Sequence, residues 1–353
     1  AREMMLGIEM TGKSPYAMVY LHGLIRDEAG RKISKSMEDI GEYDPLVIID
    51  RIGADALRYA LLTSSTPGSD MSLDPRRLEA ARNFANKIWN AARFVVTNLE
   101  GAVADGPFTK RTLADRWIVS RLDRLIAEVT ELFDTYQYGE AGRRIYDFLW
   151  GEFCDWYIEA CKIRLYGDDL AARSTAQATL VWVLDRALRL LHPYMPFVTE
   201  EIWQHLKAAW TSGDCWQESL MICRWPEAGG PFDDEAEGDM GLLMDLIRQI
   251  RNARAEFDVT PGKRVPATIA GADKLEMLQA QRSLLTFLAK VDDGQLTLTK
   301  ALDEKPEKAV ALVAAEGVEA YLPLAGLVDL EQEIARLKKA VAGAEQEIRR
   351  AEG

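Results

Sequence analysis

Long apolar runs, grouped cysteines and positive charge are all in short supply in this chain of 353 residues. No stretch of about 18 apolar residues occurs, which argues against a membrane-spanning helix. The opening Ala1-Arg2-Glu3-Met4-Met5-Leu6-Gly7 lacks the long apolar centre of a signal peptide. It also lacks an initiator Met, as expected of a chain that begins inside a longer protein. The four cysteines, Cys154, Cys161, Cys215 and Cys223, contain no CxxC pair, and only three histidines are present to assist. A structural zinc site needs closely spaced soft ligands, so no metal site is expected and the thiols read as free and buried. Free thiols point to a cytoplasmic location. The net charge of −13 argues, for the chain as a whole, against a nucleic-acid binder.

That charge is not spread evenly. Between Arg76 and Arg93 lie Arg76, Arg77, Arg82, Lys87 and Arg93, with Glu79 the sole acid. An acidic protein with one basic helix can still hold RNA on that face. The length suggests two or three domains, and 48% hydrophobic with 28% charged residues is ordinary for a globular chain.

Tyr16-Ala17-Met18-Val19-Tyr20-Leu21-His22 predicts a buried strand, followed by a polar loop from Arg26 to Ser36. Asp44-Pro45 predicts a capped helix running through Tyr59. Residues 67–225 read as helical throughout. Asp74-Pro75 opens a helix whose apolar stripe is Phe84, Ile88, Ala91, Val95 and Leu99. Further helices are expected around 112–135, 138–166 and 173–192, with Pro193 and Pro196 as a break before a helix from Thr199. Most of the nine tryptophans fall between Trp89 and Trp216, which favours a solid helical bundle there.

Gly229-Gly230-Pro231 and Asp233-Asp234-Glu235 read as a linker. A helix at 240–257 buries Leu243, Leu246, Ile247 and Ile250. Strands at 264–270, 295–299, 308–314 and 317–322, with a helix at 273–290, make a small α+β unit. Last, Leu327, Leu330, Ile334, Leu337, Val341, Ala344 and Ile348 alternate in steps of three and four, an unbroken heptad seam that requires a partner.

The chemistry-bearing segment is Arg31-Lys32-Ile33-Ser34-Lys35-Ser36. Two lysines three apart, with hydroxyls and Gly30 nearby, have the make-up to wrap a polyphosphate and oppose its charge. Taken alone, such a run is usually a solvated loop. Its setting is more specific: His22-Gly23, Asp27, Gly30 and Lys32 to Ser36, then Asp44-Pro45 and Gly53-Ala54-Asp55-Ala56-Leu57-Arg58. This resembles the second signature of the class I aminoacyl-tRNA synthetases. The resemblance continues through Arg82 to Ala91, Phe153 to Glu159, and His192-Pro193-Tyr194-Met195-Pro196-Phe197 with Glu201-Ile202-Trp203, in order, over about residues 15–265. Within that family, Ile247-Arg248, Arg251, Arg254-Ala255-Glu256, Val259 and Pro261-Gly262-Lys263 look like the valine branch, as does the heptad tail. The isoleucine and leucine branches share much of the rest.

The resemblance implies a mainly α chain. It would comprise the C-terminal edge of a Rossmann-type catalytic domain (1–66), a helical-bundle anticodon-binding domain (67–228), a small α+β domain (229–326) and a truncated coiled-coil arm (327–353). It implies that Lys32 and Lys35 stabilise charge on ATP, that Ser34 and Ser36 shape the loop, and that Mg2+ accompanies the ATP. It implies valine tRNA as partner, with Arg76, Arg93, Phe94, Asn83 and Lys87 lining the anticodon site, and valine and ATP as substrates of a monomeric parent. Removing one such preorganised contact typically costs about 3 kcal/mol of barrier. Two departures stand out: Ile33 where the family more often has Met, and Met37-Glu38-Asp39 where it has Gly-Asn after the second serine. No His-Ile-Gly-His-like sequence is present, so the chain alone is expected to make no adenylate.

Arg248, Arg251 and Arg254 read as a second tRNA contact or as a helix face paired with its own acids. His192, before Pro193 at a helix end, reads as a structural cap; His22 and His205 have no assigned role. The competing view is a non-catalytic helical scaffold that associates through its heptad tail.

Overall fold

The computed structural model describes residues 1–34, 37, 40–64, 68–99, 111–210, 216–306, 308–324 and 341. It forms two compact units. One comprises Ala1–Pro107, Arg121–Trp156 and Gln177–Gly230; the other comprises Phe108–Ser120, Tyr157–Ala176 and Pro231–Gly353. The heptad tail lies almost entirely outside the described residues. No described helix is long and apolar enough to cross a membrane.

The chain starts with α1 (Arg2–Thr11), none of whose side chains is buried. The strand expected at 16–22 does not form: Met18, Val19 and Leu21 are exposed and the segment has no ladder. A buried strand needs neighbours on its edges, and no described strand pairs with this run. Pairing begins instead at β1 (Ile25–Arg26).

Asp44 caps α2 (Pro45–Ile52) as expected, accepting from the Leu46 nitrogen at 2.8 Å. The helix does not continue to Tyr59, however. Gly53 sits at φ 92, a conformation costly for other residues, and ends the turn; α3 (Ala54–Ser64) then starts afresh. After β2 (Met71–Ser72), Asp74 caps α4 (Pro75–Thr97) by the same Asp-Pro device, 2.8 Å from the Arg76 nitrogen. The expected stripe holds at Phe84, Ile88, Val95 and Leu99, but Ala92 is buried where Ala91 was expected.

Helix α5 (Leu113–Asp134) follows. The single helix expected at 138–166 is three segments: α6 (Tyr138–Asp147), a π-helical run Phe148–Tyr157, and α7 (Ile158–Leu165). Then come α8 (Leu170–Leu191) and α9 (Pro196–Ala209). Pro196 opens α9 rather than breaking it, because a first-turn residue loses no hydrogen bond by lacking an N–H. The core of the first unit centres on aromatics: Tyr59 lies 5.2 Å from Phe84 and 6.1 Å from Tyr194, and Phe84 lies 4.7 Å from Tyr146. Such pairs add about 0.5–1.5 kcal/mol each to the area they bury.

The second unit is built on α10 (Asp234–Glu256), which buries Leu243, Leu246, Ile247 and Ile250 as the spacing predicts. Its sheet has β3 (Val265–Ala270), β4 (Val291–Thr299), β5 (Ala309–Val313) and β6 (Glu319–Pro323) in the order β4-β3-β6-β5. Strands β3 and β4 are parallel, which demands a crossover. The crossover is α11 (Leu275–Ala280) and α12 (Arg282–Ala289), two helices where one was expected. Lys290 ends α12 in the left-handed region (φ 57) and feeds β4 four residues before its expected start.

Candidate functional site

The lysine loop is held at its base by a small hairpin. Asp27 N–H donates to the Arg31 carbonyl at 2.9 Å, Gly30 N–H to the Asp27 carbonyl at 3.1 Å, and Ile33 N–H to the Ile25 carbonyl at 3.2 Å. Gly30 takes φ 79 to close the turn. Asp27 is 1% exposed and accepts from Arg31 twice, at 2.7 Å from its backbone nitrogen and 2.6 Å from Nε. Burial works against ionising this carboxyl, but the Arg31 bonds outweigh it and hold Asp27 below its ordinary range.

The hairpin is docked by backbone. Ile25 and Arg26 pair in parallel with Met71 and Ser72, and Gly68 N–H reaches the Leu21 carbonyl at 2.9 Å. Asp70 accepts from Leu24 N–H at 2.8 Å and from Arg26 Nε at 2.6 Å, in that order the causes that keep it ionised to lower pH. The approach is so close that a Cβ on Gly23 would lie 1.7 Å from the Ser69 carbonyl oxygen, so only glycine fits there. Lys32 is exposed and bridges Arg26 through its backbone; Ser34 is half-buried. Lys35, Ser36, Glu38 and Asp39 lie outside the described residues. The hairpin thus presents the Lys32 ammonium, with no ion pair among the described residues, on a hydrogen-bonded turn, a point charge suited to a phosphate oxygen.

The five residues expected at the anticodon site all lie on α4, but not in one place. Arg76 is in its first turn, paired with Asp74 at 2.9 Å. At 1.5 Å per residue it stands about 27 Å from Phe94. Asn83 is exposed. Lys87 is engaged internally, 2.7 Å from Asp155 and 4.9 Å above the Trp150 ring. Arg93 lies about 100° around the helix from Phe94, on the side facing α9. There it rims an apolar slot of about 160 Å³ lined by Trp89, Val96, Ile202 and His205. Trp89 is 39% exposed, enough to offer a ring face, and meets His205 edge-on at 6.1 Å. His205 Nε2 lies 3.3 Å from Glu201.

Sequence reading missed Trp89 and His205 as partners, since their contact bridges two helices; the exposed Trp on a basic helix was the available signal. An apolar slot with an aromatic wall and a guanidinium at its rim is chemically suited to an unstacked base.

Of the arginines on α10, Arg254 is 6% exposed and donates to the Lys290 and Thr260 carbonyls, each at 3.3 Å. Arg251 Nε donates to the Leu288 carbonyl at 3.0 Å. Both therefore hold the end of α12 and the turn after it. His192 places Nδ1 2.8 Å from Thr199 Oγ1, while its Nε2 is buried with no hydrogen-bond partner among the described residues. His22 Nδ1 lies 2.8 Å from the Gly23 carbonyl. Cys154 and Cys161 are free and buried, as expected; Cys223 is only half-buried, and Cys215 lies outside the described residues.

Comparison with known proteins gives family and sequence matches along the chain. The model for class I tRNA synthetases (I, L, M and V) matches residues 1–74, and that for the anticodon-binding domain of tRNA ligase matches 115–269. The valine–tRNA ligase of Halalkalibacterium halodurans is 44% identical over 340 residues, 96% of this chain and 37% of that protein. That of Enterococcus faecalis is 44% identical over 358 residues, 100% of this chain and 39% of that protein. A solved LeuRS–tRNA–LeuAMS complex from Agrobacterium radiobacter K84 gives a TM-score of 0.47 at 20% identity, covering 66% of this chain and 26% of that one. The chain spans well under half the length of these valine–tRNA ligases, and nearly all of it matches them: it belongs to the class I tRNA synthetases, in the valine–tRNA ligase group.

Proposed function

We propose that this chain is the part of a valine–tRNA ligase that carries the triphosphate-facing lysine loop and the anticodon-binding helices. The 44% identity to a valine–tRNA ligase across 96% of the chain carries this reading. The parent activity would join valine to ATP, release pyrophosphate, and pass valine from the adenylate to the 3′ end of its tRNA. Residues 1–66 would be the edge of the Rossmann-type catalytic domain, 67–228 the anticodon-binding bundle, 229–326 the α+β domain, and 327–353 the start of a coiled-coil arm. The protein would work in the cytoplasm.

The lysine loop's part is electrostatic. Lys32, on its hairpin, and Lys35 would oppose charge on the triphosphate, with Ser34 and Ser36 shaping the turn. Among the described residues no three acidic, His or Cys side chains form a metal cradle. Mg2+ would accompany the ATP, as the resemblance implies. The RNA contacts would lie along α4: Arg93 at the rim of the Trp89 slot, with Phe94, Asn83, Lys87 and Arg76 on the adjoining face.

The test has two arms. Fluorescence anisotropy with valine tRNA should show binding that weakens when the anticodon is changed and falls steeply with salt. Pyrophosphate exchange by the chain alone should stay at background. Absence of RNA binding at low salt would remove the RNA part of the reading, and exchange above background would show that the chain holds more of the catalytic site than proposed. Self-association through the heptad seam is a separate expectation: sedimentation should detect it, and Leu330→Lys with Leu337→Lys should abolish it.

A further inference from the structure

A cavity of about 290 Å³ opens between α3, α4 and α6, lined by Thr63, Ser64, Arg77, Arg143 and Tyr146 among others. Its lining is apolar in large part (Ala60, Ala80, Ala81), but unlike the Trp89 slot it has two guanidinium groups, Arg77 and Arg143, at its wall. Arg143 is fixed in place: Nη1 donates to the Thr63 carbonyl at 2.8 Å, and Nε and Nη2 donate to Glu140 at 2.9 and 2.8 Å. Arg144 shares that same Glu140 at 3.1 Å, so two cations are set against one acid. Behind the cavity, Tyr59 OH donates to the Gly142 carbonyl at 2.9 Å and closes the floor.

Arg77 is the unspent group. Its guanidinium has no hydrogen-bond or ion-pair partner among the described residues, and neither has the Tyr146 hydroxyl. The nearby Asp74 is already committed to Arg76, to its side chain at 2.9 Å and its backbone nitrogen at 2.8 Å. Burial first, then the charges of Asp147 and Asp155, raise the Tyr146 phenol against an opposing Lys87, so it stays protonated and able to donate. A recess lined by two guanidinium groups, with the Arg77 guanidinium and the Tyr146 hydroxyl unpartnered among the described residues, suits an anion.

We propose that this cavity is a phosphodiester site, in which Arg77 and Tyr146 take a backbone phosphate of bound RNA. This rests on the RNA-binding reading above and adds a second contact to it. Arg77 is about 25 Å along α4 from Phe94, so the two contacts would fall on different parts of one RNA, one reading a base and the other fixing register.

The experiment measures affinity of the whole chain for valine tRNA against salt, for the wild type, Arg77→Gln and Arg82→Gln. Arg82 is exposed and lies about 140° around α4 from Arg77, so it controls for charge alone. Arg77→Gln should weaken binding about five- to eightfold near ~0.1 M salt and flatten the salt slope by about one. The loss should be the same for tRNA with an altered anticodon, and Tyr146→Phe should show a smaller loss of the same kind. Arg82→Gln should change little. Equal losses for Arg77→Gln and Arg82→Gln, or none for Arg77→Gln while the wild type binds, would overturn the site. So would competition by inorganic phosphate at millimolar concentration with no effect of Arg77→Gln on RNA, which would mark a free-anion site. If the wild type binds no RNA, the underlying reading falls instead.

Discussion

The carboxylate of Asp55 lies 2.6 Å from the backbone nitrogen of Val198, 143 residues further along the chain. Its other oxygen is 3.2 Å from the Phe197 nitrogen. Helix α9 starts at Pro196 after Met195, which has no side chain able to cap it. Asp55 therefore performs an N-cap's task from another helix, satisfying first-turn donors and facing the positive end of the helix dipole. Arg58, one turn on, reinforces the joint by donating to the Pro193 carbonyl at 2.9 Å.

Replacing Asp55 with Ala should lower unfolding free energy by about 1–2 kcal/mol, with Asp55→Asn intermediate. Urea melts followed by helical circular dichroism would read this. An unchanged midpoint for Asp55→Ala would show that solvent replaces the cap at no cost.

His192 should impose a decline in stability as pH falls. Burial is the main cause that lowers its pKa below the ordinary 6.5; Glu200 and Asp55 oppose that shift and Arg58 assists it. Thr199 Oγ1 donates to the Met195 carbonyl at 2.7 Å, so the histidine must donate to that oxygen, leaving the bare Nε2 buried. Protonation there would bury an unpaired cation. The unfolded chain takes up the proton first, so stability is full above about pH 6.5 and is lost as pH drops from there towards the lower folded value. Comparing pH 7.5 with pH 5.5, His192→Gln should lose less stability than the wild type; parallel losses would contradict this account. Asp27 and Asp70, whose values are depressed below 3.8, act only in more acid solution.

Asp115 is the centre of a buried ionic node. It is fully buried and accepts from Arg164 at 2.6 and 2.7 Å, from Tyr157 OH at 2.7 Å and from Thr112 N–H at 2.9 Å. Asp115→Ala should cost about 3–5 kcal/mol, because it strips a buried arginine of its carboxylate and takes an acceptor from a buried phenol. Adding Arg164→Met to Asp115→Ala should recover part of the loss. A double variant no more stable than Asp115→Ala alone would show that the stranded charge is not the cause.

Thiol reactivity should separate the cysteines. Burial pushes Cys154 and Cys161 up to about 12, so the reactive thiolate is scarce at neutral pH as well as shielded. Cys223, half-buried, is raised for the same reason without a comparable barrier to reagent. In a Cys215→Ser background, a disulfide-exchange reagent at pH 8 should titrate one thiol in the native protein and all three in urea. Rapid labelling of two native thiols would rule out this picture of the core.

Local chemistry was legible in the sequence. Asp44-Pro45 and Asp74-Pro75 announced two helix starts and both hold, because cap and proline act within a few residues. The sheet of the second unit was legible for the same reason, through alternation over short spans. Gly53 as a break and Gln281 as the division between α11 and α12 required knowing the backbone conformation. The site was less accessible: Lys87 looks like a spare cation until Asp155, 68 residues away, occupies it. Trp89 looks like core until His205 and Ile202 leave a gap beside it. Partners set by folding leave no mark at one position of the chain.

The strand order of the second unit bears on how concentrated samples will behave. Strand β5, Ala309-Val310-Ala311-Leu312-Val313, is an outer strand with no charged side chain and pairs only with β6 among the described residues. At one end Gln249 covers the Val313 carbonyl, donating at 2.9 Å; Val313 itself is 66% exposed. Bare, β-branched outer strands recruit other copies by adding to the ladder. Aggregation on storage or warming should therefore start at this edge, and a single lysine at Ala311 should suppress it with little effect on the folded unit.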